Sequence, residues 1–159
     1  MFFQLGLLFL HNNKIIHRDL KPDNLLLVST SVISPVRAKI SDFGTSRFIA
    51  DVQNQQLTNA LGTPLYMAPE ILANQEYSLP SDVYSLAILF WYIFEQQSPF
   101  ANISNNFALY EKVMSGVRPD LTPGCQLNEI INRLFTLKRL FLFIHISNNC
   151  HSECGITTR

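Results

Sequence analysis

The chain has 159 residues, of which 47% are hydrophobic and 15% are charged, a composition typical of a folded domain and not of a disordered segment. Twelve Lys and Arg residues balance twelve Asp and Glu residues, which gives no electrostatic reason to expect a nucleic acid or an anionic membrane as a partner. The three cysteines (Cys125, Cys150 and Cys154) are an odd number, which favours a reducing compartment, so we expect a cytoplasmic protein.

Two stretches of the chain are strongly apolar. Residues 2–12 predict a buried helix, because they lack the basic first region and the small-residue cleavage site of a signal peptide. The second stretch, residues 134–146, is interrupted by Lys138 and Arg139. Spanning a bilayer takes about 20 apolar residues, so the sequence predicts no membrane-spanning helix in either stretch.

The residues that follow the first helix predict a small β element and then a long loop. Residues 25–28 and 38–41 predict two short strands, joined by a turn at residues 29–36. Residues 42–69 combine glycine, proline and many polar residues, and they predict a long ordered loop of the kind that is usually functional. Residues 68–73 predict one or two helical turns.

The second half of the chain predicts helices. Ser81 and Asp82 precede an apolar run to residue 95, which is a helix start signal. This helix is apolar on nearly all sides, which indicates a central buried helix. Residues 105–115 and 128–135 predict two further helices. The chain is therefore expected to have a mainly helical α+β fold.

A polar stretch between two apolar runs carries the first functional motif. His17 to Asn24, HRDLKPDN, fits the pattern H-R-D-x-x-x-x-N of the kinase catalytic loop. Three more motifs follow in order: DFG at 42–44, GTPLYMAPE at 62–70 and SDVYSLAILFWYIF at 81–94. A chance match to all four is not expected. Over residues 1–124 the chain resembles the C-terminal lobe of eukaryotic protein kinases, and residues 125–159 read as a divergent tail.

The resemblance implies a catalytic centre that uses ATP and Mg²⁺. Asp19 would take or orient the proton of the substrate hydroxyl, and Lys21 would stabilise the charge of the transferring phosphoryl group. Asp42 and Asn24 would supply the oxygen ligands that Mg²⁺ prefers. The implied partners are ATP and a protein substrate.

Other positions match nucleotide-facing and structural residues of the family. Leu26 would form the floor under the adenine ring, and Ser41 would lie near the nucleotide. Phe43 would pack against the core, and Gly44 completes the DFG motif. Asp82 would accept backbone hydrogen bonds from the catalytic loop; the simpler alternative is a helix N-cap.

The resemblance makes residues 42–70 an activation segment. Arg18 would lie against it and could pair with a phosphorylated residue that an activating kinase has modified. Thr58 is the preferred acceptor, and Thr63 is expected to hydrogen-bond near Asp19 and to shape the substrate site. The less favoured acceptors are the hydroxyls of Thr45, Ser46 and Thr63.

The same resemblance indicates which hydroxyl-bearing residues the protein substrate would offer. Lys21, two residues after Asp19, and the sequence of residues 62–70 resemble the serine/threonine pattern. The stretch at 77–100 is most similar to the tyrosine-kinase-like group of those enzymes. We therefore expect a protein serine/threonine kinase domain; a non-catalytic kinase-like binding module or a decayed gene product remains the alternative.

The 159 residues depart from the family pattern at two places. They contain no G-x-G-x-x-G and no V-A-I-K, so we expect a kinase-like C-terminal lobe without the N-terminal lobe, with weakened binding of ATP and Mg²⁺ and little catalysis. The last family helices are also expected to be absent, together with the arginine that pairs with the residue matching Glu70. Glu70 would then be unpaired or would pair with Arg133.

The histidines and the tail cysteines raise the question of a metal site. His145, Cys150, His151 and Cys154 have a spacing that matches no standard zinc site, and an accidental cluster is the favoured interpretation. His11 and His17 are expected to be structural.

Overall fold

The computed structural model describes residues 3–31, 33–34, 36–52, 63–124 and 128–136. Helices dominate this part of the chain, as the sequence predicts. The helices are α1 (Phe3–Asn12), α2 (Ile49–Val52), α3 (Pro69–Leu72), α4 (Leu79–Glu95), α5 (Asn106–Met114) and α6 (Asn128–Thr136). The strands are β1 (Ile15–Ile16), β2 (Leu25–Leu27), β3 (Ala38–Ile40) and β4 (Arg47–Phe48). Short 3₁₀ turns span Pro22–Asn24, Phe43–Thr45 and Pro64–Tyr66.

The strands form two small antiparallel pairs. The predicted pair, β2 with β3, aligns Leu25 with Ile40 and Leu27 with Ala38. The second pair, β1 with β4, aligns Ile15 with Phe48 and was not predicted. Strand β4, helix α2 and two 3₁₀ turns lie within residues 42–69, so the prediction of a continuous loop there is wrong in part. The pairing of β4 with β1 holds the start of this segment against the catalytic loop.

Helix α4 begins two residues before the predicted start. Ser78 is its N-cap, and the side chains of Ser78 and Ser81 form a reciprocal capping box with the backbone of the first turn. Pro80 lies in the first turn, where its missing N–H is not needed. Asp82 is therefore not the cap, and the N-cap alternative for this residue is wrong.

The core is built around α4, as its apolar sequence predicts. One cluster packs α4 residues such as Leu86 and Leu89 against α1 and α6, through Leu7 and Ile131. The other packs the opposite side of α4 against residues 66–71 and α5. Helix α4 is thus covered on two sides, by α1 and α6 on one and by residues 66–71 and α5 on the other.

Aromatic and cation–π contacts join helix α6 to Tyr84 of α4 and to Arg118. The ring of Phe135 lies 5.4 Å from the ring of Tyr84, measured between centroids. The Arg118 guanidinium lies 5.0 Å from the Tyr84 ring and 5.5 Å from the Phe135 ring. A cation against an aromatic face is attracted by the negative face of the ring. Helix α6 is thus part of the packed structure.

Large apolar side chains of α1, the β2–β3 hairpin and the DFG motif are exposed. They are Leu5, Phe9, Leu26, Leu27, Val28 and Phe43. Phe9 and Phe43 line the same open groove together with β3. Contiguous exposed apolar surface marks interaction surfaces or association-prone regions. Within the described residues, no helix combines the length and the hydropathy needed to cross a bilayer.

We predict that Leu86→Ala lowers the free energy of unfolding by about 2–5 kcal/mol, because it leaves a cavity in the centre of α4. Leu86 is fully buried, whereas Leu27 is 71% exposed and provides a matched control of the same residue type. Urea unfolding of both variants measures the difference. Leu27→Ala should change stability by less than about 0.5 kcal/mol; equal losses in both variants would contradict this description of the core.

Candidate active site

A buried carboxylate on α4 anchors the catalytic loop. Asp82 is 1% exposed. Its Oδ2 accepts a hydrogen bond from the backbone N–H of His17 at 2.8 Å, and its Oδ1 accepts one from the N–H of Arg18 at 2.9 Å. The Nε2 of His11 lies 2.9 Å from Oδ2. A buried carboxylate is costly unless hydrogen bonds compensate its lost hydration, and these three contacts do so. The backbone hydrogen bonds expected of Asp82 are present.

The backbone of Arg18 has a left-handed conformation, with φ of 71°. This conformation costs a non-glycine residue about 1–3 kcal/mol and persists only where neighbouring groups impose it. The hydrogen bond to Asp82 acts directly on this residue. The Arg18 Nε donates to the carbonyl of Thr45 at 2.6 Å, and its guanidinium lies 5.3 Å from the Tyr77 ring. Arg18 therefore lies against the start of the activation segment.

His17 connects the catalytic loop to the DFG motif. Its imidazole is fully buried, and Nε2 lies 3.0 Å from the carbonyl oxygen of Ser41. Nδ1 accepts the backbone N–H of Asp19 at 3.4 Å. These contacts are consistent with the tautomer protonated on Nε2. The ring edge also meets Phe43, with centroids 5.3 Å apart. His17 is thus structural, and it sets the distance between the two motifs.

Asp19, Lys21 and Asn24 form the polar centre of the site. The Lys21 Nζ lies 2.7 Å from Oδ2 of Asp19. The Nδ2 of Asn24 donates to the same oxygen at 3.0 Å and to the Asp19 carbonyl at 2.8 Å. Both contacts hold the Asp19 carboxylate in one orientation. The hydrogen bond and charge of Asp19, with smaller effects of Asp23 and Asp42, raise the pKa of Lys21 above its ordinary value of 10.5.

Ser41 brings the DFG motif to the catalytic loop. Its backbone N–H and its hydroxyl both donate to the Asn24 carbonyl, at 2.9 Å and 3.1 Å. The next residue, Asp42, is exposed and has a left-handed backbone with φ of 58°. Its Oδ1 accepts the N–H of Gly44 at 3.3 Å. Asp42 is thereby held beside Asn24, and its charge acts on Lys21.

The donor set fits a hard divalent cation that brings its own oxygen ligands. Because Nδ2 of Asn24 is bonded to Asp19, the amide oxygen points away from that contact; the described residues provide it with no hydrogen bond. Asp42 supplies an exposed carboxylate nearby. Within the described part of the chain, no three His, Cys, Asp or Glu residues are grouped to hold a metal alone. Mg²⁺ sites with one or two protein ligands and substrate phosphates have this character.

A second group of predicted residues lines a small cavity next to Asp19. Thr63 lies in its wall together with Arg18 and Met67. This cavity is lined by Asp19 but by neither Asn24 nor Asp42, so it is separate from the two predicted magnesium ligands. The hydroxyl of Ser85 on α4 donates to the Tyr66 carbonyl at 2.7 Å and fixes this wall.

The structure excludes one of the two alternatives for Glu70. Its Oε1 accepts a hydrogen bond from the Ser81 hydroxyl at 2.9 Å, whereas Arg133 pairs with Glu129 one turn earlier on α6. Within the described residues Glu70 thus has no arginine partner, and the alternative that it pairs with Arg133 is wrong. Because α4 begins at Leu79, Ser81 lies in its first turn, and from there its hydroxyl reaches Glu70.

Leu26 and Phe43 are each about half exposed. Leu26 is 53% exposed, and its role beneath the adenine ring stays a prediction. Phe43 is 50% exposed and contacts the His17 ring, and it does not belong to the two core clusters around α4. Thr58, the preferred phosphate acceptor, lies outside the described residues, as does the cluster at 145–154.

Arg47 was not identified from the sequence as part of this site. His11 was named, but its partner was not identified. Burial, together with the nearby charge of Arg47 on β4, lowers the pKa of the Arg18 guanidinium below its ordinary value. His11 binds the anchoring carboxylate across 71 positions of sequence. A basic residue after the DFG motif was a usable signal for Arg47. No sequence pattern identifies the partner of His11.

Comparisons with known proteins agree with the motifs. The sequence model of the protein kinase domain matches residues 3–133. The chain is 47% identical over 114 residues to the probable serine/threonine-protein kinase gdt9 of Dictyostelium discoideum, which covers 72% of this chain and 7% of that protein. It is 48% identical over 113 residues to the probable serine/threonine-protein kinase gdt4 of the same organism, covering 71% and 7%.

A third relative from the same organism is named as a dual specificity kinase and not as a serine/threonine kinase. The chain is 38% identical over 113 residues to the dual specificity protein kinase shkB, covering 71% of this chain and 16% of that protein. The chain thus spans at most 16% of the length of these three relatives.

We predict that Asp82→Asn destabilises the fold by at least about 2 kcal/mol, since hydrogen bonds to a charged group contribute about 1.5–3 kcal/mol each. The asparagine would keep one oxygen and would direct an amide donor at an N–H or at His11. Urea unfolding measures the loss. Asp51→Asn, at an exposed position of α2, is the control; a similar small change in both variants would contradict the anchoring role.

We also predict that Asp19→Asn lowers the pKa of Lys21 towards 10.5, because Asp19 is the largest cause of the upward shift. A raised pKa means that the ion pair stabilises the folded chain fully below 10.5 and that this contribution is lost as the pH rises through the raised value. An NMR titration of the Lys21 side chain in alkaline solution measures the shift. The Asp51→Asn control should leave it unchanged, and an unchanged value in Asp19→Asn would disprove the assignment.

Proposed function

The chain belongs to the protein kinase family, and we propose on that premise that it carries a site for phosphoryl transfer from ATP to serine or threonine hydroxyls of proteins. One observation carries this proposal. The Asp19 carboxylate is oriented by Lys21 at 2.7 Å and by Asn24 at 3.0 Å, on a loop that the buried Asp82 fixes. Phosphoryl transfer depends on such positioning and on charge neutralisation more than on covalent chemistry by the protein.

Each polar residue has one task in this proposal. Asp19 orients the substrate hydroxyl and accepts its proton. Lys21 remains a cation at neutral pH, because its raised pKa favours the ammonium form, and it lies beside the position where negative charge develops. Asn24 and Asp42 would hold Mg²⁺ through their oxygens. When bound, magnesium and ATP supply the phosphoryl group and part of the charge neutralisation.

Serine and threonine are the proposed acceptors. The support is the serine/threonine type of the catalytic loop, together with the printed names of the relatives gdt9 and gdt4. The dual specificity named for shkB makes tyrosine the second candidate. The tyrosine-kinase-like subgroup, the cytoplasmic location and the division at residue 124 also stay proposals.

A polypeptide of these 159 residues is proposed to react slowly by itself. Asp42 is exposed and Phe43 is half exposed, so water reaches the metal side of the site. Preorganised charges act most strongly where water is excluded. The same exposure supports the alternative of a binding module, which would bind nucleotide or protein without transfer.

Regulation by a second kinase is proposed for the activation segment. Arg18 and the exposed Arg47 form a basic pair at the start of that segment. A phosphorylated hydroxyl in the segment, with Thr58 preferred, would pair with these guanidinium groups and order the segment.

Phosphate transfer from radiolabelled ATP to a protein mixture tests the proposal. Asp19→Asn should lower the rate by about 10²–10⁴-fold, the usual contribution of a general base, while leaving nucleotide binding intact. Asp42→Ala should remove the magnesium dependence of nucleotide binding. Asp51→Ala, at an exposed acidic residue outside the site, should change neither quantity.

The outcomes separate the candidate functions. Label on phosphoserine and phosphothreonine supports the proposed acceptors, and equal label on phosphotyrosine would assign dual specificity. Magnesium-dependent binding without any transfer would assign a binding module. Transfer that persists in Asp19→Asn would contradict the role of Asp19.

A further inference from the structure

Two hydroxyl groups that follow the DFG motif bind one carbonyl oxygen of the catalytic loop. The Thr45 hydroxyl donates to the His17 carbonyl at 3.0 Å, and the Ser46 hydroxyl donates to the same oxygen at 3.4 Å. A carbonyl oxygen has two lone pairs and can accept both hydrogen bonds at once. These two contacts are named the hydroxyl latch. The sequence indicates both hydroxyls only as less favoured phosphate acceptors and does not indicate that they act as donors.

A third hydrogen bond crosses the hydroxyl latch in the opposite direction. The Arg18 Nε–H donates to the Thr45 carbonyl at 2.6 Å. The catalytic loop therefore accepts from the segment at one residue and donates to it at the next. The turn that carries the hydroxyls is itself closed, because the Ser46 N–H donates to the Phe43 carbonyl at 3.0 Å.

Asp42 lies between the hydroxyl latch and a second attachment of the same segment. Before it, the N–H and the hydroxyl of Ser41 donate to the Asn24 carbonyl. After it, the hydroxyl latch joins the segment to His17. The left-handed backbone of Asp42, with φ of 58°, persists only where its surroundings impose it. The chain on each side of Asp42 is thus attached to the catalytic loop, and the two attachment points precede and follow Asp19.

The neighbouring strand pair does not replace the hydroxyl latch. The β1–β4 pair aligns Ile16 with Arg47, so it begins after Ser46, and it has two residues per strand. A two-stranded pair by itself is only marginally stable. The hydroxyl latch lies between this pair and Asp42, so that the attachment to the catalytic loop begins directly after Gly44.

We propose that Thr45 and Ser46 are positioning residues: through the hydroxyl latch they fix the start of the activation segment on His17, and thereby the place of the Asp42 carboxylate relative to Asp19. The effect on magnesium-dependent nucleotide binding rests on the function proposed above. The effect on the contact between segment and loop does not, because hydrogen exchange reports it directly.

Four variants of the 159-residue chain test this inference. Thr45→Val removes one donor and keeps nearly the same side-chain shape, whereas Thr45→Ser keeps the donor. Ser46→Ala removes the second donor, and the double variant Thr45→Val/Ser46→Ala removes both. Ser115→Ala is the matched control, because it removes a hydroxyl that donates to the Lys112 carbonyl at 2.8 Å at the end of α5. Urea unfolding gives the stability of each variant, so that local effects can be separated from global ones.

Hydrogen exchange of the Arg18 Nε–H, followed by NMR, is the first measurement. Relative to amides in the centre of α4, this group should exchange about 2–10-fold faster in Thr45→Val, the range expected for loss of one neutral hydrogen bond. The increase should be smaller in Ser46→Ala, whose contact is longer, and largest in the double variant. Thr45→Ser and Ser115→Ala should leave the ratio unchanged.

Three results of the exchange measurement would overturn the inference. They are an unchanged ratio in the double variant, an equal increase in Ser115→Ala, and a Thr45→Ser variant that exchanges as fast as Thr45→Val. If the double variant does not fold, Thr45→Val and Thr45→Ser decide the question by themselves.

The magnesium dependence of ATP binding is the second measurement. The double variant should need about tenfold more Mg²⁺ for half-maximal binding, the usual effect of losing a group that orients a metal ligand, and Thr45→Ser should need no more than the parent. An unchanged requirement in the double variant would overturn the positioning of Asp42. If the parent chain shows no magnesium-dependent binding, the proposed function fails in its own assay, while exchange of the Arg18 Nε–H still decides whether the hydroxyl latch holds the segment.

Discussion

The arrangement of this site depends on one buried carboxylate. Asp82 accepts hydrogen bonds from the backbone of His17 and Arg18 and contacts His11. A desolvated carboxylate must be surrounded by donors, and in this fold the donors come from α1 and from the catalytic loop. Because the buried charge needs these donors, their positions relative to α4 are fixed. Helix α4 is the rigid element, and the loop is held in a strained backbone conformation that it would not keep in isolation.

From that base the polar groups are connected in sequence to the DFG motif. His17 contacts the Ser41 carbonyl, and Ser41 in turn donates to the Asn24 carbonyl. Asp19, Asn24 and Asp42, which are dispersed over 24 positions of the chain, therefore lie around one region. Their environments differ, because Asn24 is buried whereas Asp42 is exposed. Asn24 is therefore held by packing and hydrogen bonds, whereas the Asp42 carboxylate is open to water.

Hydrophobic patterning predicted the helices well, since α4 and α6 each agree with the expected bounds to within two residues. The motifs predicted the candidate site, because their residue types are tied to chemistry. Contacts between distant segments could not be predicted in this way. The β1–β4 pair has two residues per strand, too few for an alternating pattern, and the partner of Glu70 depended on where α4 begins. The contact of His11 with Asp82 joins residues whose proximity only the packing of α1 on α4 creates.

The position of Arg118 between the rings of Tyr84 and Phe135 has a consequence for the smallest unit that can fold cooperatively. Ile131 and Leu134 of α6 are fully covered in the same core as Leu86, and the guanidinium closes the gap between this helix and α4. A polypeptide cut just before α6 would expose the underside of α4 to solvent while keeping every motif of the catalytic loop. The packed core therefore extends beyond the recognisable motifs, to helix α6, which carries none of them.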